Sequence, residues 1–97
     1  MKFTQADWTE ANMTSLQGYM PARYEELVAV FGEPDGGGDK TTVEWVLKFE
    51  DGTVATIYDW KECSTPMYEY DWHIGGKSKK AVALVQQAFR LHAKVFG

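Results

Sequence analysis

The sequence predicts an α+β fold, a three-stranded antiparallel sheet with helices packed on one face as a two-layer sandwich. Three observations carry that expectation. An amphipathic helical stripe runs over residues 21–31, apolar residues alternate through 41–60 around Asp51-Gly52, and a second helical stripe runs from Ser78 to about Phe96. The 97 residues are the length of one small domain, so residues 1–97 are expected as a single unit without a separate cofactor domain.

In chain order, residues 4–13 carry a weak helical signal, with Thr4 and Asp7 at capping-box spacing. In the next segment Tyr24, Leu27, Val28 and Phe31 fall on one helical face. Pro21 suits a first helical turn, Glu25 and Glu26 complement the dipole, and Gly32 followed by Pro34 stops the helix. Val43, Trp45, Leu47 and Phe49 then alternate with Thr42, Glu44, Val46 and Lys48. Asp51-Gly52 reads as a two-residue type I′ turn, which sets Phe49 opposite Val54, Leu47 opposite Thr56, Trp45 opposite Tyr58 and Val43 opposite Trp60. In the third strand Tyr68, Tyr70, Trp72 and Ile74 alternate with Glu69, Asp71 and His73, and Gly75-Gly76 ends it. Ser78 caps the last helix, where Ala81, Leu84, Val85, Ala88, His92 and Val95 form a stripe that Val82, Phe89 and Phe96 widen. The helices are expected on the Trp45, Leu47, Tyr58 and Trp72 side, leaving the other sheet face to water.

A hydrophobic share of 44% and a charged share of 25% argue against a disordered tail or a membrane protein. Cys63 is the single cysteine, which excludes an internal disulfide and every cysteine-rich zinc pattern. Four Trp, five Tyr and five Phe offer the burial that a small core otherwise lacks. The first seven residues lack the apolar stretch of a signal peptide and no run reaches membrane-spanning length, so a soluble, cytoplasmic protein is expected. The net charge of -4 conceals a division: residues 1–76 hold all 14 acids and five of the ten basic residues, whereas 77–97 hold the other five and no acid.

On the outward sheet face the expected register sets Glu44 opposite Asp59, with Asp71 and His73 nearby, a set with the chemistry to hold a divalent metal for phosphodiester cleavage. A solvated or partner-binding face is the competing reading. Gly76-Lys77-Ser78 is similar to the end of a phosphate-binding loop, but Asp71 stands where that loop needs an earlier glycine. The lysines of the segment from Gly75 to Lys80 oppose the helix dipole and call for a neighbouring acid or an external anion. Neither His73 nor His92 has a Ser or Cys partner at a catalytic spacing, and Glu62 beside Cys63 blunts the thiol. Tyr19, Trp60, Tyr68 and Tyr70 exceed what a small core absorbs, and surface aromatics are typical interface anchors. An acidic body repels nucleic acid and attracts basic partners.

The strings Leu16-Gln17-Gly18-Tyr19-Met20, Phe31-Gly32-Glu33-Pro34, Asp51-Gly52-Thr53-Val54-Ala55 with Thr56-Ile57-Tyr58-Asp59-Trp60, and Tyr70-Asp71-Trp72-His73-Ile74 resemble a family of short phage and prophage proteins of unassigned function. That resemblance implies, by analogy with small counter-defence proteins such as anti-CRISPR inhibitors, a cytoplasmic protein of the infected bacterium that binds a host protein. A slighter likeness joins the helix over residues 21–31, its Phe31-Gly32-Glu33-Pro34 stop and the following hairpin to the helix-then-hairpin module of the β-lactamase-inhibitor-like proteins. The resulting expectation is a non-enzymatic inhibitor of a host defence component such as a CRISPR-Cas effector, without catalytic residue, cofactor or metal. Glu44, Asp59, Glu69 and Asp71 would supply charge to the interface, with Trp60, Tyr68 and Tyr70 as anchors. The alternative is a small metal-dependent phosphodiesterase or nuclease using Asp71 and His73, and self-association is a third reading.

Overall fold

A computed structural model describes residues 2–96, with side chains described through His92. The elements are β1 (Phe3–Gln5), a 3-10 helix (Trp8–Ala11), β2 (Ser15–Ala22), α1 (Tyr24–Phe31), β3 (Asp35–Gly36), β4 (Val43–Phe49), β5 (Val54–Tyr58), β6 (Tyr70–Gly76) and α2 (Lys80–Phe96). All strand pairings are antiparallel, in the order β1-β4-β5-β6-β2, and β3 pairs with β4 on the same outer edge as β1. The α+β class is as expected. The sheet has six strands where three were expected, and both helices cover one of its faces.

The three additional strands lie where periodicity is weak. Residues 4–13 were expected as a helix, yet residues 3–5 form β1, with half-buried Phe3 and exposed Gln5 on one side of the strand and Thr4 paired with Lys48 on the ladder. Phe3 packs between Phe31 and Phe49, with ring centroids 5.3 and 5.8 Å away. Tertiary burial of that ring overrides the local capping-box spacing. Pro21, expected in a first helical turn, lies in β2 opposite Asp71. β2 is an edge strand, where the missing N–H of proline is tolerated. The helix therefore starts later: Arg23 is its N-cap, and the Glu26 carboxylate accepts the Arg23 backbone N–H at 2.8 Å.

The end of α1 is pinned from two strands. Gln5 Nε2 donates to the carbonyls of Phe31 at 2.7 Å and Glu33 at 2.8 Å, and Trp45 Nε1 donates to the Gly32 carbonyl at 2.7 Å. Gly32 has a φ of 89°, and a Cβ there would stand 2.7 Å from Gln5 Nε2. Glycine is thus required by both backbone conformation and space.

The β4–β5 hairpin corrects the expected register by one residue. Phe49 N–H donates to the Thr53 carbonyl and Gly52 N–H to the Phe49 carbonyl, both at 2.8 Å, so the loop is the three residues Glu50, Asp51 and Gly52, with Gly52 at a φ of 89°. This is the three-residue connection of a turn followed by a left-handed glycine, in place of the two-residue type I′ turn. Trp45 consequently faces Ile57, Leu47 faces Ala55, and Glu44 faces Tyr58. A one-residue slip exchanges the two faces of a strand. Ala55, Ile57 and Asp59 turn to the core, while Val54, Thr56 and Tyr58 turn to the open face. The expected inward position of Tyr58 is thereby overturned.

The core lies between the sheet and the helices. Trp45 and Trp72 meet edge to face with centroids 5.6 Å apart, and Trp72 Nε1 donates to the Ala22 carbonyl at 2.9 Å, so both buried indole N–H groups have acceptors. In α2, Ala81, Leu84 and Val85 are buried and Val82, Ala88 and Phe89 pack at the margin, as the stripe predicts. The expected contributions of Val95 and Phe96 lie outside the described side chains. Among the described residues no helix is long and apolar enough to cross a membrane.

Candidate protein-binding face

The sheet face away from the helices carries one continuous cross-strand row. Asp35 on β3 pairs with Glu44 on β4, Glu44 with Tyr58 on β5, Tyr58 with His73 on β6, and His73 with Tyr19 on β2. Directly opposed residues of an antiparallel pair share a face, so five titratable side chains stand in line across the sheet. The next row reads Val46, Thr56, Gly75 and Leu16. The 3-10 segment crosses this second row at the β4 and β5 end, where Ala6 N–H donates to the Val46 carbonyl at 2.8 Å and Val46 and Thr56 are buried. The tyrosine and histidine end of the first row is left open.

Aromatic rings connect along that open end. The His73 ring lies 4.9 Å from Tyr19, 5.3 Å from Tyr58 and 6.4 Å from Tyr70, measured between centroids. Tyr58 and Trp60 are 6.3 Å apart, as are Tyr68 and Tyr70. Four members of this region are exposed for their size: Tyr19 at 51%, Trp60 at 43%, Met67 at 61% and Tyr68 at 59%. Large exposed apolar groups in one region mark an interaction surface better than the same residues scattered singly. Exposed Glu69 and Asp71 and half-buried Glu62 adjoin them in the chain.

The electrostatics of the row follow from its partial burial. Burial raises the Glu44 pKa, and Asp35 and Asp59 push it further against the lowering effect of the Thr41 hydroxyl. Burial also raises Tyr58, with Glu44 and Tyr19 adding to it. For His73 burial lowers the pKa and outweighs Asp59, Asp71 and Glu62, which pull it up; its Nδ1 is buried with no hydrogen-bond partner. The imidazole is therefore held as a neutral, ring-flanked group.

Of the residues expected at the interface, Trp60, Tyr68, Glu69 and Asp71 are exposed and Glu44 is half-buried on the open face. Asp59 is a correction. It was expected outward and opposite Glu44, but the shifted register turns it to the core, where it is 0% exposed and unavailable to a partner. Its carboxylate accepts the Thr42 backbone N–H at 2.7 Å and the Thr42 hydroxyl at 2.6 Å, and that hydroxyl is 2.8 Å from Thr65 Oγ1. Tyr70 is also more structural than expected: it is half-buried, its ring is 5.1 Å from Trp72, and its hydroxyl accepts the Trp60 N–H at 3.2 Å. Tyr58 and Met67 were missed, Tyr58 because its face depends on the turn and Met67 because a loop residue has no periodicity to read.

The Gly75 to Lys80 segment is engaged within the fold. Lys80 pairs with Asp51 at 2.5 Å, which holds the Asp51 carboxyl at about 2, and Lys79 Nζ donates to the Gln17 carbonyl at 3.1 Å. Asp51 is the acid that the lysines near the α2 start call for. Among the described residues no three His, Cys, Asp or Glu side chains converge as a metal-binding group. Asp71 and His73 share the open face, and the His73 Nδ1 is buried without a hydrogen-bond partner. No protein-family model, curated protein or solved structure matches the chain.

Proposed function

We propose that this protein is a non-enzymatic binder that inhibits a host protein through its open sheet face. The observation that carries the reading is the aromatic surface in which His73 joins Tyr19 to Tyr58 and Trp60, and Tyr70 joins Tyr68 to His73, beside Glu44, Glu69 and Asp71. Exposed aromatics supply the anchors of an interface, and a net charge of -4 favours a basic partner over nucleic acid itself. The partner class that fits is a protein with a basic nucleic-acid channel, such as a bacterial CRISPR-Cas effector, and the sequence resemblance supports a phage-encoded inhibitor.

The test mixes the protein with labelled DNA alone and with a guide-loaded nuclease and its target. The expected result is no shift of free DNA and loss of target binding by the nuclease. Glu69→Lys with Asp71→Lys reverses the charge of the face and is expected to relieve inhibition. Trp60→Ala or Tyr68→Ala is expected to weaken the complex by about 2 kcal/mol, roughly 30-fold. A direct DNA shift, or full inhibition by the charge-reversed variant, would sink the reading.

A further inference from the structure

Within the open face lies a distinct depression of about 200 Å³, lined by Thr14, Thr41, Glu44, Thr56, Tyr58 and Trp60, with Gly75 among its walls. Ligand pockets for drug-sized molecules start at roughly 300 Å³, so this space suits one side chain better than a free organic ligand. Gly75 keeps it open. A Cβ at that position would collide with Thr56 Oγ1 and approach Tyr58 Cε1 to 3.4 Å. The walls combine two aromatic rings, the hydroxyl side chains of three threonines and Ser15, and one carboxylate, and no basic residue lines the space. Lys48, the basic residue of β4 on this face, pairs instead with Glu10 at 3.7 Å. Among the described residues no lysine or arginine stands within ion-pair distance of Glu44, although Asp35 opposes it directly.

We propose that this depression is the seat of an arginine side chain presented by the protein partner, an inference that rests on the binding function proposed above. A guanidinium stacks on an aromatic face and forks its N–H groups onto a carboxylate, whereas an ammonium offers a point charge without a plane. Tyr58 and Trp60 supply the rings, Glu44 the carboxylate, and the Thr56 hydroxyl a neutral acceptor, while the Thr41 hydroxyl, which accepts the Gly38 N–H at 2.7 Å, hydrogen-bonds Glu44 from the wall. Seating the cation relieves the opposition of Glu44 and Asp35, so binding and the neutralisation of that pair are one event.

The test is a titration of the 15N-labelled protein with the peptide acetyl-Gly-Arg-Gly-amide, with its lysine and citrulline analogues as controls. One isolated side-chain contact binds on the order of 1 mM or weaker. The expected result is saturable movement of the Trp60 indole, Thr56 and Gly75 signals. Affinity should fall about tenfold for citrulline and about tenfold in Glu44→Gln, the loss of roughly one charge-assisted contact. Glu44 is half-buried at the surface, so this variant retains the fold, as its spectrum will show. Silence of those signals, or equal affinity for citrulline, overturns the arginine seat. Movement confined to Tyr68, Glu69 and Asp71 overturns it too while leaving the wider binding face intact; failure of that face is read separately, from inhibition by the charge-reversed variant.

Discussion

Asp59 holds Thr42 with both carboxylate oxygens: Oδ1 accepts its backbone N–H at 2.7 Å and Oδ2 its hydroxyl at 2.6 Å. Two contacts from one buried carboxylate tie the end of β5 to the start of β4, and Thr65 extends the tie to the loop before β6. Hydrogen bonds to charged groups are worth about 1.5–3 kcal/mol, and stranding a buried partner adds desolvation cost. Asp59→Ala is therefore expected to destabilise by about 2–4 kcal/mol in urea unfolding. Glu69→Lys, on an exposed residue of the same region, should stay within about 0.5 kcal/mol of the parent.

The Gln5 amide makes the second long-range tie, to the carbonyls of Phe31 and Glu33 at the end of α1. Gln5→Ala removes both donors and is expected to cost about 1–2 kcal/mol. Gly32→Ala should cost at least as much, because it puts a Cβ at positive φ and against Gln5 Nε2. In the background of Gln5→Ala the clash disappears but the φ penalty stays, so the two changes should be less than additive. A double-mutant cycle read by thermal unfolding measures that coupling.

Acid stability is expected to depend on Asp51. Its carboxyl lies at about 2 against an ordinary 3.8, with Lys80 as the largest cause. A depressed folded pKa gives stability that is fully present above 3.8 and is lost as pH falls through about 2. Lys80→Ala should flatten the unfolding midpoint between those values and leave its pH dependence near neutrality unchanged. Circular-dichroism melts across that range would show it.

His73 acts at milder pH and from the opposite chemical form. Its folded pKa lies below 6.5 because burial outweighs the surrounding carboxylates. The unfolded state then binds more protons, so the contribution is full above 6.5 and falls away as pH drops through 6.5 toward the folded value. Replacing the ring by His73→Phe should remove this slope while keeping contact with Tyr19 and Tyr58. Proton NMR of the His73 ring, followed against pH, would give its midpoint; a value above 6.5 would contradict the burial effect.

The sequence by itself determined the helical stripes of α1 and α2, the existence of the β4–β5 hairpin and the inward alternation of Tyr70, Trp72 and Ile74, because period and turn chemistry are local properties. Most of the expected surface residues were legible as well, since Trp60, Tyr68, Glu69 and Asp71 are polar or aromatic beyond the needs of the core. Only the tertiary structure decided the rest. A third loop residue in the hairpin turned Asp59 into a buried tether and brought Tyr58 out beside His73, since a strand's two faces exchange with one residue of slip. β1, β2 and β3 were hidden because edge strands without a clear apolar alternation take their conformation from a partner: β1 from the packing of Phe3, β2 from its ladder with β6. The row from Asp35 to Tyr19 spans five strands, and no segment of sequence contains it.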